Sequence, residues 1–374
     1  MSLKKSLNQH REVNMNTEQN PYKSLAKTLD TLPNGYPSTS DDSELRLLAK
    51  LFSPEEANLA SQLRIMLESS TQIAERLGLE HTPTRQMLKN MARRGLIRAG
   101  KIDDGLGYGL LPFVVGIYEN QLSSMDEELA RLFENYYQSS FPQVLTVQPS
   151  IHRVVPVGES IKMDMQVAPY ESAAGILEQA QSWGVQDCIC RIQTRLIGKP
   201  CEHPVDMCMV MSPVPDAFIN SQEIKSLTKE EAYATLHRAD LAGLVHSVSN
   251  NQHGDWYICN CCTCSCGILR GMAELGIANV VASSAFINTV DETLCNACGL
   301  CVESCQFDAL TVDMVAIVNK TRCVGCGVCV NTCPDHALVL VRRPEEEVKP
   351  VPVNLVDWGM QRARDRGIDL TPLL

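Results

Sequence analysis

The first 187 residues contain no cysteine, although the 374-residue chain has 17. That absence divides the chain in two. No stretch of about 18 apolar residues occurs, so no membrane span is expected. Lys4 and Lys5 have no apolar segment behind them, so the N-terminus does not read as a secretory leader. The expected location is therefore cytoplasmic, and cysteines there read as metal ligands, not a disulfide framework. No Ser-His-Asp order, dinucleotide fingerprint or flavin motif stands out. Gly105-Leu-Gly-Tyr-Gly109 lacks the Lys-Ser/Thr of a phosphate loop. The net charge of −11 argues against a nucleic-acid footprint over the whole chain. It leaves room for a basic patch on one domain.

What is present is concentrated between Cys295 and Pro334. Two matching runs occur there, Cys295-x2-Cys298-x2-Cys301-x3-Cys305 and Cys323-x2-Cys326-x2-Cys329-x3-Cys333. A thiolate at every third position of a tight loop wraps three corners of an iron–sulfur cube, and the fourth closes the other cube. One ligand set is then Cys295, Cys298, Cys301 and Cys333. The other is Cys323, Cys326, Cys329 and Cys305. Gly299, Gly325 and Gly327 suit a backbone that curls closely round an inorganic core. A short apolar strand follows each run, Ala309–Val312 and Ala337–Leu340, so the halves repeat. Structural zinc favours two separated Cys pairs over two runs of four. Disulfides give no reason for the doubled spacing.

On these motifs, residues 291–343 resemble a bacterial ferredoxin domain with two [4Fe-4S] clusters. Gln306 stands where that family usually has proline after the fourth cysteine. The proline shapes a turn and is not a ligand, so Cys305 is retained as one.

Between 188 and 266 lie nine further cysteines, with Cys259-Asn-Cys-Cys-Thr-Cys-Ser-Cys266 too dense for packing alone. In an extended segment Cys262, Cys264 and Cys266 point one way, and Cys259 and Cys261 the other. Nine thiolates suffice for two cubanes with one left over, for one cubane plus a redox dithiol, or for a zinc site. The reading adopted is at least one further [4Fe-4S] cluster. Its ligands come from Cys188, Cys190, Cys201, Cys208, Cys261, Cys262, Cys264 and Cys266. His203 reads as a polar loop residue. Arg191 reads either as a partner for cluster charge or as a solvated side chain. Residues 150–343 also resemble an uncharacterised group of large ferredoxin-domain proteins found mainly in anaerobes. That resemblance implies cluster binding and supplies no substrate.

The expected fold is α+β and multidomain. Residues 1–40 read as a flexible arm, 41–140 as a winged-helix-like module, 145–290 as a Cys-rich α/β domain, 291–345 as the ferredoxin domain and 346–374 as a tail. In the second segment, Leu45, Leu48, Leu51 and Phe52 recur at helical spacing. Helices then follow at Pro54, Thr71–Gly78 and Thr82–Arg94, before a Gly-rich hairpin. Arg85, Lys89 and Arg93 share one helical face, with Leu88 and Met91 facing inward. Residues 61–104 carry eight Lys/Arg against five Asp/Glu, a charge suited to phosphate contacts. Ile277–Ile287 reads as one buried strand. The expected function is single-electron transfer with a redox partner protein, with nucleic acid not expected as a partner. The alternatives are a redox-sensing regulator and a reductase acting at the central cysteines.

Overall fold

The computed structural model describes residues 20–156, 160–161, 165–278 and 280–373. Residues 1–19 of the expected arm lie outside the described residues. From Asn20 onward the arm expectation fails. Asn20 caps helix Pro21–Asp30, its Oδ1 accepting from Tyr22 N at 2.9 Å. Tyr22, Leu25, Ala26 and Leu29 form one apolar stripe, and all are buried against helix Pro54–Ala60 and its neighbours. This stripe is the one helical pattern in an otherwise polar segment.

Helix Ser43–Leu51 buries Leu45, Leu48 and Leu51 as the spacing predicts. Helix Pro54–Ala60 opens on a capping box between Ser53 and Glu56. Strand Glu68–Ser69, helix Ser70–Leu77, helix His81–Arg93 and the hairpin Arg98–Ile102/Gly105–Gly109 follow. The three strands form an antiparallel sheet with Gly105–Gly109 in the middle. Leu88 and Met91 are fully buried, while Arg85 and Arg93 are exposed.

The central region is built on a seven-stranded sheet in the order Val281–Ala282, His152–Val154, Val245–Ser249, Tyr257–Cys261, Cys208–Ser212, Ser182–Gln186, Lys225–Leu227. All pairs are antiparallel except the first. Strand alternation gives the sheet two different faces. One carries Val185, Met209, Met211, Val248 and Ile258, packed against helices Ala173–Glu178 and Lys229–Leu241. The second of these helices opens on a Thr228/Glu231 capping box. The other face carries His152, Cys208, Cys259 and Cys261, and aromatic residues of the preceding helices cover it.

The expected strand over 277–287 is two strands in different sheets. Val281–Ala282 ends the large sheet, and Phe286–Val290 pairs with Leu338–Arg342 of the Cys-run segment. The turn at Ser283–Ala285 lets the chain change sheets, with Ser284 Oγ donating to Gly325 O at 2.7 Å. Between Cys266 and the first of these strands lies the short helix Arg270–Ala273. Helix Leu355–Arg366 returns to the N-terminal half. There the fully buried Arg362 donates to the carbonyls of Pro33, Val144, Val147 and Pro149. Among the described residues no helix is long and apolar enough to cross a membrane.

Candidate metal centres

The repeat in the sequence is a repeat in space. Cys301 lies on the short helix Leu300–Glu303 and Cys329 on Val328–Thr332. Each helix follows a glycine in the left-handed region, Gly299 at φ 82° and Gly327 at φ 84°. A side chain at Gly327 would lie 2.2 Å from Ser160 Oγ, so the close approach also requires glycine there. Two bonds recur at matched positions. Ala309 N donates to Cys305 Sγ and Ala337 N to Cys333 Sγ, both at 3.3 Å. Ala316 N donates to Cys295 Sγ at 3.3 Å, and Asn288 Nδ2 to Cys329 Sγ at 3.2 Å.

Cys295, Cys298, Cys301 and Cys333 line one small cavity together. The other four cysteines gather round Cys329. Burial pushes its thiol well above the usual value, and the nearby Cys326, Cys305 and Cys323 push the same way. Crowded thiolates are unfavourable without a cation, and metal binding removes that penalty. Four thiolates per site and N–H groups aimed at sulfur fit a [4Fe-4S] group.

The nine central cysteines do not act as one pool. Cys201, Cys262 and Cys264 join His203 in a compact group, with all four ligand atoms within 4.8 Å of one another. Cys201 Sγ lies 3.1 Å from His203 Nδ1, 3.6 Å from Cys262 Sγ and 3.1 Å from Cys264 Sγ. A tetrahedral ion with metal–sulfur bonds of about 2.3 Å sets its sulfurs about 3.8 Å apart, so the group has single-ion dimensions. The reading of His203 as a mere polar loop residue is corrected. One residue, Glu202, separates it from Cys201, and the loop before Met207 folds it back onto the thiols. Burial holds the Cys262 thiol up, but Cys264 beside it, His203 and Arg191 together bring it down to about 3.

Cys188, Cys190, Cys208, Cys259, Cys261 and Cys266 line a neighbouring cavity of about 70 Å³, which Cys262 of the compact group also borders. Cys259, left out of the sequence-based ligand set, is therefore among them. Cys259 and Cys261 do share one face of strand Tyr257–Cys261. The alternation ends there, because a turn follows: Cys266 rejoins Cys261 at the cavity, Cys264 turns to the compact group, and Cys262 borders both. Arg191 is 1% exposed, which removes the solvated reading. Its Nη2 donates to Asn260 O at 2.8 Å and lies 3.6 Å from Cys262 Sγ.

The ferredoxin-like segment and the compact site are linked by the residue that departs from the ferredoxin pattern. Gln306 Oε1 accepts from Thr263 N at 2.8 Å, and its Nε2 donates to Gly243 O. Thr263 lies between the ligand candidates Cys262 and Cys264, and Gln306 follows Cys305.

No curated protein and no solved structure matches the chain. Residues 288–311 and 316–339 match the 4Fe-4S binding domain family, one match for each cysteine run. With that match laid over the cysteine-lined cavities, the chain is an iron–sulfur protein with a ferredoxin-type 4Fe-4S binding domain near its C-terminus and an additional Cys/His metal site in its central region.

Proposed function

We propose that the protein is an electron carrier holding two [4Fe-4S] clusters. Cys295, Cys298, Cys301 and Cys333 hold one, and Cys323, Cys326, Cys329 and Cys305 the other. At least one further cluster sits among the central cysteines, and a soluble redox partner exchanges electrons with the chain. When bound, [4Fe-4S] groups accept and release single electrons at potentials spanning roughly −700 to +450 mV, tuned by hydrogen bonds and exposure. The residues of this chain hold the thiolates, aim N–H groups at the sulfurs and keep water away. The observation that carries the reading is the doubled cysteine run, with its matched N–H···S bonds, in a segment of the 4Fe-4S binding family.

Gln306 would fix the ferredoxin domain against the central site. Gln306→Pro, which restores the usual ferredoxin residue, should keep all iron yet lower stability by about 1–3 kcal/mol, because Thr263 N–H loses its acceptor. Electron exchange between the ferredoxin and central centres should slow. Stopped-flow reduction of anaerobic protein measures this. An unchanged rate and unfolding midpoint would remove Gln306 from the proposal.

A second reading, a redox-sensing regulator, is favoured by one feature. The order helix, strand, helix, helix, hairpin over residues 54–109 supports a winged-helix module, and no ion pair occupies Arg85, Lys89 or Arg93 among the described residues. If this face contacted DNA, each phosphate contact would add about −0.9 to the slope of log K against log salt. Arg85→Ala with Lys89→Ala would then flatten it by about two units. We expect no sequence-specific binding to the protein's own promoter region at physiological salt in either redox state. A redox-dependent footprint that the double variant abolishes would promote the regulator.

A further inference from the structure

The six cysteines around the enclosed cavity arrive from four places. Cys188 and Cys190 stand at the start of helix Ile189–Leu196, and Cys208 opens a strand of the large sheet. Cys259 and Cys261 come from the neighbouring strand, and Cys266 from the turn before Arg270–Ala273. Their thiols face one another in sequence round the cavity, Cys190 with Cys188, Cys188 with Cys208, Cys208 with Cys259, Cys259 with Cys261, and Cys261 with Cys266. Yet no three of them lie as close together as the four atoms of the Cys201 group, which is the one compact group of ligand atoms among the described residues. A ring of thiols wider than a single-ion site surrounds something larger than an ion.

Two polar atoms of residues on the same wall point to the nature of the guest. His152 Nε2 and Arg191 Nε have no hydrogen-bond partner, and their residues are 4% and 1% exposed, while the Tyr118 hydroxyl meets the Cys190 thiol. Leaving buried polar atoms unmatched carries a desolvation penalty. A bare cation cannot relieve a guanidinium N–H. Inorganic sulfide can, because it accepts hydrogen bonds, as the sulfides of iron–sulfur clusters do. Val114, Phe133, Phe141 and Ile189 supply apolar parts of the wall, and Glu119, Cys262 and Ser265 are among its other members. Arg191 lines the same cavity, and its Nη2 lies 3.6 Å from Cys262 Sγ, a thiol that borders both sites.

We propose that the central region holds two separate inorganic centres. The cavity ringed by Cys188, Cys190, Cys208, Cys259, Cys261 and Cys266 takes a polynuclear iron–sulfur cluster, and Cys201, His203, Cys262 and Cys264 take a single zinc ion. This deepens the reading of the central cysteines as an iron–sulfur site and rests on it. Three thiolates and one imidazole form a closed tetrahedral set, the usual surroundings of structural zinc, which has no redox chemistry. The redox-active central centre is then the buried one, and the zinc fixes the loop that meets Gln306.

Metal analysis of full-length protein purified anaerobically tests this without any variant. About one zinc and about twelve irons are expected, eight from the C-terminal cysteine runs and four from the cavity. Zinc X-ray absorption should show three sulfurs at about 2.3 Å and one nitrogen at about 2.0–2.1 Å. Cys201→Ser with Cys264→Ser should release the zinc and keep every iron. Cys208→Ser with Cys259→Ser should release about four irons and keep the zinc. Protein with no zinc, or with iron in the Cys201 site by the same spectroscopy, overturns the assignment. So does iron that stops at about eight after reconstitution. Ferredoxin electron paramagnetic resonance, recorded on the same samples, separates these failures from a failure of the C-terminal clusters.

Discussion

Cys298→Ser should remove about four irons from the anaerobic protein, Cys326→Ser another four, and the pair about eight. The two substitutions act on different cavities. Cys298 lines one with Cys295, Cys301 and Cys333, whereas Cys326 crowds against Cys323 and Cys305. The single variants should therefore each keep one ferredoxin signal. The double variant should lose both and retain only iron held by the central cysteines. A structural consequence accompanies the loss of iron. The cluster that this segment buries within itself is small, Cys301, Leu310, Ala316, Cys329 and Leu338, two of them ligand candidates, whereas Phe307, Ala309, Val324 and Val328 belong to the main core. So small a core does not hold its short strands without metal, and metal binding here is folding free energy. Hydrogen exchange in the double variant should rise across residues 291–345 while the strands Val245–Ser249 and Tyr257–Cys261 stay protected. Iron content that is unchanged in the double variant would sink the ligand assignment.

The C-terminal site was legible because all eight thiols come from two local runs whose spacing states the geometry. The central sites were not, because the residues that line them come from separate strands, helix starts and loops spread over residues 188–266, and only the tertiary fold brings them together. Cys208 lies beside Cys259 because Met209 pairs with Ile258 and Val210 with Tyr257. Nothing local in either strand announces that pairing. His203 was misread for the same reason, since its partners Cys262 and Cys264 lie about 60 residues away. The spacing Cys201-x-His203, with a dense cysteine group downstream, was the available signal. The capping boxes at Ser53 and Thr228 are each contained in four residues. The helix Pro21–Asp30 is marked by the stripe of Tyr22, Leu25 and Leu29 within a polar segment. The cavity wall was hidden most of all, since Tyr118, Phe133 and Phe141 come from the half of the chain that has no cysteine.

That dependence of the central site on the cysteine-free half has a measurable consequence at Arg270. Its side chain is 1% exposed and donates to Glu134 at 2.6 and 3.0 Å and to Glu274 at 2.8 Å, with the guanidinium 4.5 Å from the centre of the Tyr137 ring. Glu134 and Tyr137 lie on helix Glu127–Ser139, which also supplies Phe133 to the cavity wall. Arg270 N donates to Cys266 O at 2.9 Å, so the same residue ends the turn that presents Cys266. Burial pushes the Glu134 carboxyl up, but the hydrogen bonds from Arg270 and Gln138 and the charges of Arg270 and Lys199 together outweigh it and hold the group at about 2. A depressed carboxyl stabilises the fold above its unfolded value, and that contribution disappears as pH falls toward about 2. Arg270→Ala leaves Glu134 largely buried with Lys199 as its remaining cation, at 3.6 Å. Removing one partner of a buried pair costs about 3–5 kcal/mol, and the exposed Lys199 places this case near the lower end. Urea unfolding at pH 7 should show that loss, and the difference from the parent should shrink as Glu134 titrates in acid. Cavity iron should fall in Arg270→Ala while the ferredoxin signals remain, because the turn that carries Cys266 has lost its anchor to the helix behind it. Arg270→Met combined with Glu134→Leu should recover most of the stability, since apolar side chains of similar volume often replace a buried pair without loss. A single variant as stable as the parent, with full central iron, would show that the helix and the metal-bearing turn are held together by something else.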